Sequence, residues 1–160
     1  MSEGIKKVKA LATEIRIAML TTANPNGHLH SRPMALNEMD DDGTMWFFTK
    51  KSSDKVNEIQ EDAEVNISFA NVSDSDYLAI SGIAKLVTDQ AEIDDKFNKF
   101  VKAWFPEGKE SSEISLLKIT PHHAEYWESS DSKLARLFSI GKALITGTRH
   151  EGGTHEKVEM

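Results

Sequence analysis

Two short stretches in the first half of the chain contain residue types that bind phosphate. Arg32 and Pro33 lie inside an otherwise strand-like run, and Pro33 has no N–H to donate. Its strand is therefore predicted to be an edge or to be interrupted there, which leaves backbone groups free for a ligand. Thr49, Ser53 and Lys55 supply two hydroxyls and a cation around a predicted helix start, where unpaired amides and the helix dipole favour anions. Together these residues form a candidate phosphate site.

Simpler interpretations of the polar residues stay open at this point. On spacing alone, a surface arginine, a helix cap and solvated lysines are the commoner arrangement. His28 and His30 share a strand face, but two ligands near a turn without a third are usually solvated. The acidic run 40–42 is typical of a turn, because it lacks the alternating ligands of a calcium loop. No metal site is predicted.

Composition excludes several classes of function. The chain has 160 residues, 39% of them hydrophobic and 28% charged, which is typical of a single globular domain. It contains no cysteine, which excludes thiol catalysis and disulfides and fits a reducing compartment. The net charge of −7 argues against a nucleic-acid or anionic-membrane surface. Because no stretch approaches the length of a membrane span and the N-terminus lacks an apolar signal region, we expect a cytoplasmic protein.

Strand patterns and tight turns dominate the segments that must position the candidate residues. An amphipathic helix is predicted over about 4–14, and Asn26-Gly27 is a strong hairpin signal. Gly82 indicates a bulge or a close backbone approach. The predicted strands span 16–22, 29–38, 44–49, 64–70, 77–87, 115–120 and 123–127.

Two further helices and a tail complete the pattern. Ser53 is an N-cap candidate for a short helix, and Asp89 opens a capping box before a longer helix that ends at Pro106. The apolar stripe of that helix predicts core or interface packing. Residues 134–146 are ambiguous and are expected to end as a strand. We therefore predict one domain over 1–147 and a flexible C-terminal tail over 148–160.

The order of these elements favours a mainly β fold with flanking helices. Few strand pairs are separated by a crossover helix, so an antiparallel sheet is favoured over a parallel one. With six or seven strands in one domain, closure into a barrel is the natural way to remove exposed strand edges.

A combination of short motifs identifies a family across residues 5–147. The motifs are Arg16–Thr22, Ser31-Arg32-Pro33-Met34, Met45–Thr49, Ser53-x-Lys55-Val56, Tyr77-x-x-x-Ser81-Gly82-x-Ala84, Ala103–Gly108 and Ala124-Glu125-Tyr126-Trp127. This combination resembles the FMN-binding split-barrel superfamily. More closely, it is similar to the general stress protein 26 branch of the pyridoxamine 5'-phosphate oxidase-like proteins.

The resemblance implies a six-stranded antiparallel split β-barrel with peripheral helices, usually a homodimer that binds FMN, or alternatively FAD, between its subunits. The cofactor-binding residues that it implies are Arg32, Pro33, Met34, Ala35, Phe48, Thr49, Ser53, Lys55 and Trp127. The first four would run along the isoalloxazine ring and ribityl chain, and the next four would hold the ribityl and phosphate end. The tryptophan would approach the flavin from the partner subunit.

Departures from the family pattern argue against pyridoxine-phosphate oxidation. Asp54 replaces a second phosphate-binding arginine, Tyr77 replaces a glutamine near the flavin, and Lys133-x-Ala135 replaces a substrate-binding Arg-x-His. The resemblance then implies a stress-linked, flavin-dependent oxidoreductase of unknown substrate. A protein that stores or senses FMN or FAD without turnover is the alternative, and a deazaflavin or haem barrel is a third hypothesis.

Overall fold

Eight β-strands form the framework of the part of the chain that the structure describes, as a computed structural model shows. The structure describes residues 2–129 and 153–160. Its strands are β1 (Ile17–Ala23), β2 (Leu29–Ala35), β3 (Glu38–Met39), β4 (Met45–Lys50), β5 (Glu64–Asn71), β6 (Asp76–Val87), β7 (Ile114–Glu128) and β8 (Thr154–Glu159). Its helices are α1 (Glu3–Ile15), α2 (Asp54–Glu61) and α3 (Gln90–Lys96), with a 3-10 turn at Val101–Ala103. No helix within the described residues is long and apolar enough to span a bilayer.

All strand pairs are antiparallel, and the sheet curls so that its two ends meet. The strand order is β2-β1-β5-β6-β7-β4-β3, with β8 added to β7. Residues 36 and 37 join β2 directly to β3: Leu36 N donates to Arg16 O at 2.8 Å, and Asn37 N donates to Trp46 O at 2.9 Å. This arrangement is a split β-barrel with peripheral helices, and it confirms the predicted fold class. The described strands outnumber the expected six because of the two-residue β3 and the C-terminal β8.

Two apolar clusters hold the elements in place. The larger fills the barrel, with Leu20, Ile67, Phe69 and Ile80 at most 1% exposed. The smaller one lies between β4, β7 and the segment 93–105, and its members are Trp46, Ile93, Val101, Phe105, Ile114 and Leu116. Because Val101 and Phe105 belong to this second cluster, the irregular segment after α3 is fixed against the barrel wall.

Gly82 lies where β6 closely approaches the backbone of β7. The register of the two strands shifts between Ser81 and Gly82. A Cβ atom at Gly82 would lie 2.6 Å from Thr120 O and 2.9 Å from the Cα of Pro121, so no larger residue fits without moving the backbone. The close backbone approach predicted as one of two possibilities at Gly82 is confirmed. The two strands predicted on either side of Pro121 are one continuous strand, β7.

The helix predicted to run from Asp89 to Pro106 is interrupted, so that prediction was wrong in its second half. Asp89 caps α3 as expected, since its side chain accepts from Glu92 N. The helix ends at Lys96, and the side chain of Asn98 then accepts from the backbone N–H groups of Phe100 and Val101. These local bonds compete with helical ones, as is typical of asparagine. Phe100 lies 65% exposed, outside the core that was one of the two placements predicted for the apolar stripe, the other being an interface.

The flexible tail predicted over 148–160 is also wrong over its last residues. Thr154–Glu159 form β8, which pairs with residues 123–128 of β7. Val158 is only 8% exposed and joins the barrel core. The Tyr126 hydroxyl donates to Glu156 at 2.6 Å, and this bond raises the pKa of Tyr126 to about 12. The predicted domain boundary at 147 and the strand-like stretch 134–146 lie outside the described residues.

Candidate functional site

A cavity of about 340 Å³ opens between β2, β4, the start of α2 and the segment after α3. This volume lies within the range of small-molecule sites, about 300–1,000 Å³. The lining residues are Arg16, Pro33, Met34, Ala35, Leu36, Asn37, Phe48, Thr49, Lys50, Ser53, Lys55, Asn98, Phe100, Val101, Trp104 and Phe105. The cavity therefore combines aromatic and aliphatic walls with a few hydroxyls, amides and cations.

Most of the residues that the sequence singled out come together here. Seven of the nine line this cavity, namely Pro33, Met34, Ala35, Phe48, Thr49, Ser53 and Lys55. Pro33 lies in β2, the end strand of the sheet, as its missing N–H predicted. The strand delivers its next two residues to the cavity wall. Arg32 and Trp127 do not line the cavity and are described separately below.

Lys55 is the cation at the start of α2 that faces the cavity. Its side chain is partly buried, and no carboxylate among the described residues lies within ion-pair distance of it. Burial, followed by the nearby charge of Arg32, lowers the pKa of Lys55 from its usual value. Asp54, which could have repelled an anion, is exposed and does not line the cavity. The charge of the neighbouring Asp54 raises the pKa of Lys55 and so acts in the opposite direction, but Asp54 makes no ion pair with it. A partly desolvated ammonium without a carboxylate at ion-pair distance among the described residues is a good partner for an anionic ligand.

The hydroxyls beside Lys55 do not cap α2, although Val56 N in its first turn donates to Ser53 O at 2.9 Å. Ser53 occupies the N-cap position as predicted, but its side chain does not cap the helix. Its hydroxyl instead donates to Lys50 O at 2.8 Å and lies 3.4 Å from the Thr49 hydroxyl. The N-terminal amides of α2 are thus not taken by the Ser53 side chain, and two hydroxyls lie next to them.

Arg32 is held by a buried carboxylate behind the cavity. Its guanidinium donates to Glu58 Oε2 at 2.9 Å and to the Thr22 hydroxyl. Glu58 is only 7% exposed and also accepts from the Thr22 hydroxyl and from His30 Nδ1, the latter at 2.5 Å. The Thr22 bond, with those of His30 and Arg32, lowers the pKa of Glu58 to about 2. His30 is thus hydrogen-bonded to Glu58 while its side chain stays 51% exposed, whereas the sequence suggested only a solvated side chain.

Sequence reasoning missed Glu58 although a signal was present. Lys55 and Glu58 are three residues apart, and this spacing places both on one face of a helix. An acid one turn after a candidate phosphate lysine, on the face that meets the sheet, would have indicated a partner for Arg32. Phe100 and Trp104 of the cavity wall were missed for a different reason. The apolar spacing assigned them to a helix, and the structure ends that helix at Lys96.

Arg16 is a further cavity residue that the sequence did not indicate. It follows α1 with a φ of +64°, a conformation that non-glycine residues rarely adopt. Its guanidinium donates to Leu36 O at 3.3 Å. The turn at Arg16 directs the chain from α1 into β1. It also adds a guanidinium to the cavity lining, beside the ammonium groups of the lysines.

Trp127 lies on the outer face of the barrel, away from the cavity of its own chain. It is 36% exposed, pairs across the strands with Tyr77, and stacks on His155 of β8 with ring centroids 4.9 Å apart. Its expected contact with a flavin of the partner subunit stays a prediction. Lys133 and Ala135, the departures expected near a substrate, lie outside the described residues.

Comparison with known proteins gives a consistent result. The family model described as pyridoxamine 5'-phosphate oxidase like matches residues 3–151. Protein bli-3 of Neurospora crassa is 27% identical over 157 residues, which cover 92% of this chain and 75% of that protein. The general stress FMN/FAD binding protein of Xanthomonas citri is 31% identical, with a TM-score of 0.68 over 80% of this chain and 89% of that one. A protein of Jannaschia sp. CCS1 assigned to general stress protein 26 shares the fold, with a TM-score of 0.76, 22% identity and 100% coverage of both chains.

Proposed function

Because the chain belongs to the pyridoxamine 5'-phosphate oxidase-like family, we propose that it binds FMN in the cavity beside α2 and acts as a flavin-dependent oxidoreductase. The observation that carries the proposal is Lys55, a partly buried cation without a carboxylate partner among the described residues, in a cavity with aromatic walls. The Xanthomonas citri relative, named as an FMN/FAD binding protein, supports the choice of a flavin and keeps FAD as the alternative.

The lining residues fit a flavin phosphate and ring. Lys55 and the hydroxyls of Ser53 and Thr49 supply the charge and the hydrogen bonds that a phosphate requires. Met34 and Phe48 supply apolar surface for a flat ring, and the backbone of the edge strand β2 supplies polar groups along it. When bound, the flavin would supply the electron-transfer chemistry, and these side chains would bind and orient it.

The test is flavin uptake by the purified protein. We expect the protein to carry flavin absorbance as isolated, or to take up added FMN with quenching or enhancement of its fluorescence. FAD and riboflavin are titrated in parallel. The comparison of FAD with FMN gives the contribution of the AMP group of FAD, and the comparison of riboflavin with FMN gives the contribution of the phosphate. A protein without flavin that takes up none of the three would contradict the proposal.

A second candidate function is supported by what lines the cavity. None of the described lining residues carries a carboxylate, an imidazole, a phenol or a thiol, so lysine is the one residue type of this lining that could act as a general acid or base. This composition favours flavin storage or sensing without turnover. Stopped-flow reduction distinguishes the two functions, because an oxidoreductase should be reduced by NADH or NADPH and reoxidised by an acceptor. A bound flavin that neither nucleotide reduces would favour the binding protein.

We also propose that the functional unit is a homodimer. Large apolar side chains on the outer faces of the strands are exposed, including Ile17, Met19, Tyr77, Ile83 and Trp127. Surfaces of this kind commonly mark protein–protein contacts, and a second subunit would bring its Trp127 towards the cavity. Sedimentation of the flavin-loaded protein is expected to give a dimer. A monomer with flavin still bound would contradict a shared cleft.

A further inference from the structure

The ion pair between Arg32 and Glu58 lies behind the cavity, next to the helix that carries Lys55. Lys55 and Glu58 lie one turn apart on α2, and the guanidinium of Arg32 reaches Glu58 from β2. Arg32 is close enough to Lys55 that its charge acts on the lysine. Lys55 therefore lines the cavity together with Pro33, while Arg32, the residue before Pro33, lies behind the cavity and is paired with the buried carboxylate of Glu58.

We infer that Glu58 is the positioning residue of the phosphate end, holding Arg32 beside Lys55 so that both cations can act on one phosphate. This inference rests on the proposed function, since it concerns how the chain recognises the phosphate of FMN. Glu58 itself would not touch the ligand and would act through Arg32.

Charge is the first reason for this role. Two neighbouring cations repel each other, and without a counter-ion Arg32 would turn towards solvent. Glu58 offsets that repulsion from a position that is 7% exposed, where solvent screens it little. The side chain of Arg32 is still 23% exposed, so it is accessible to a ligand while it is paired.

Hydrogen-bond geometry is the second reason. Arginine has five N–H donors, and the contacts to Glu58 Oε2 and the Thr22 hydroxyl use one on each terminal nitrogen. These two contacts leave the remaining N–H groups of Arg32 unused. Because Thr22 also donates to Glu58, three elements, β1, β2 and α2, fix the guanidinium from one side. Such a fixed fork suits a phosphate better than a freely rotating side chain does.

Removal of the Glu58 charge distinguishes positioning from simple electrostatics, because the two roles predict opposite changes in FMN affinity. If Glu58 only adds negative charge near the phosphate, Glu58→Gln should strengthen FMN binding. If Glu58 positions Arg32, the same change should weaken FMN binding, since a neutral amide accepts from the guanidinium more weakly than a carboxylate does and no longer offsets its charge.

The experiment measures the dissociation constants of FMN and riboflavin for the wild-type protein and for Glu58→Gln. The ratio of riboflavin to FMN dissociation constants isolates the phosphate contribution, and any unfolded fraction cancels because both ligands are titrated into one preparation. We expect the ratio to fall about tenfold in Glu58→Gln. Glu61→Gln is the matched control, because Glu61 is an exposed glutamate on the same helix and its loss changes the charge equally. Its ratio should stay within about twofold of the wild type, as expected for a screened surface charge.

A second variant covers the case in which Glu58→Gln does not fold. Thr22→Val removes one anchor of Arg32 at nearly constant volume and changes no charge, so electrostatics alone predicts an unchanged ratio. Positioning predicts a several-fold fall. A ratio that stays constant or rises in the folded variants would overturn the inference and leave flavin binding intact. A wild-type protein that binds neither flavin would overturn both.

Discussion

Replacement of Lys55 by alanine is expected to weaken FMN binding by about 2–3 kcal/mol, roughly 30- to 150-fold, and to leave riboflavin binding unchanged. Lys55 lines the cavity and is partly buried, so its ammonium would meet a phosphate where solvent competes weakly. Riboflavin lacks the phosphate and would lose nothing. Fluorescence titration with both flavins measures the difference directly.

Lys51→Ala is the matched control for this prediction. Lys51 carries the same charge four residues earlier, but it is exposed and does not line the cavity. Its replacement should change FMN affinity by no more than about twofold, because exposed charges are screened by salt. Equal losses in the two variants would indicate a diffuse electrostatic effect, and equal losses for the two flavins in Lys55→Ala would show that the lysine does not meet the phosphate.

The buried Glu58 is expected to make folding stability depend on pH in acid. The pKa of this carboxyl is about 2 in the folded protein, compared with 4.5 for an ordinary glutamate. A lowered folded pKa means that the unfolded chain binds the proton first. The contribution of Glu58 is therefore fully present above pH 5 and is lost as the pH falls towards 2. Its size is about 3 kcal/mol, since each pKa unit corresponds to about 1.4 kcal/mol.

Denaturant unfolding of the wild type and of Glu58→Gln between pH 7 and pH 2.5 measures this contribution. Other carboxyls titrate in both proteins, so the difference between the two unfolding free energies isolates Glu58. We expect the wild type to be more stable at pH 7 and its advantage to shrink by most of the 3 kcal/mol at the acid end. Glu61 is an exposed glutamate, so the difference in unfolding free energy between the wild type and Glu61→Gln should be small over the whole pH range. If the difference in unfolding free energy between the wild type and Glu58→Gln did not change with pH, the carboxylate of Glu58 would not be the stabilising form.

Features governed by local backbone chemistry could be predicted from the sequence. Pro33 indicated an edge strand because it cannot donate, and β2 is the end strand of the sheet. Asp89 indicated a helix start and caps α3. Gly82 indicated a close approach and meets the backbone of β7. In each case one residue determines the local geometry almost independently of its surroundings.

Features governed by contacts between distant segments could not be predicted in the same way. The pairing of Arg32 with Glu58 joins residues 26 positions apart through the docking of α2 on the barrel. The position of Phe100 depends on Asn98, whose local bonds replace the helix that the apolar spacing indicates. The motif resemblance supplied what spacing could not, because it placed the cavity residues from three separate segments in one site before their proximity could be seen.

The late position of β8 in the chain has a consequence for biosynthesis. Residues 123–128 of β7 pair with β6 on one side and β8 on the other, so one edge of β7 stays uncovered until residues 154–159 have been made. Chains are synthesised from the N-terminus and begin to fold during synthesis, and an open strand edge is a template for pairing with another chain. The edge of β7 at residues 123–128 is thus open to such pairing during synthesis until β8 has been made and has covered it.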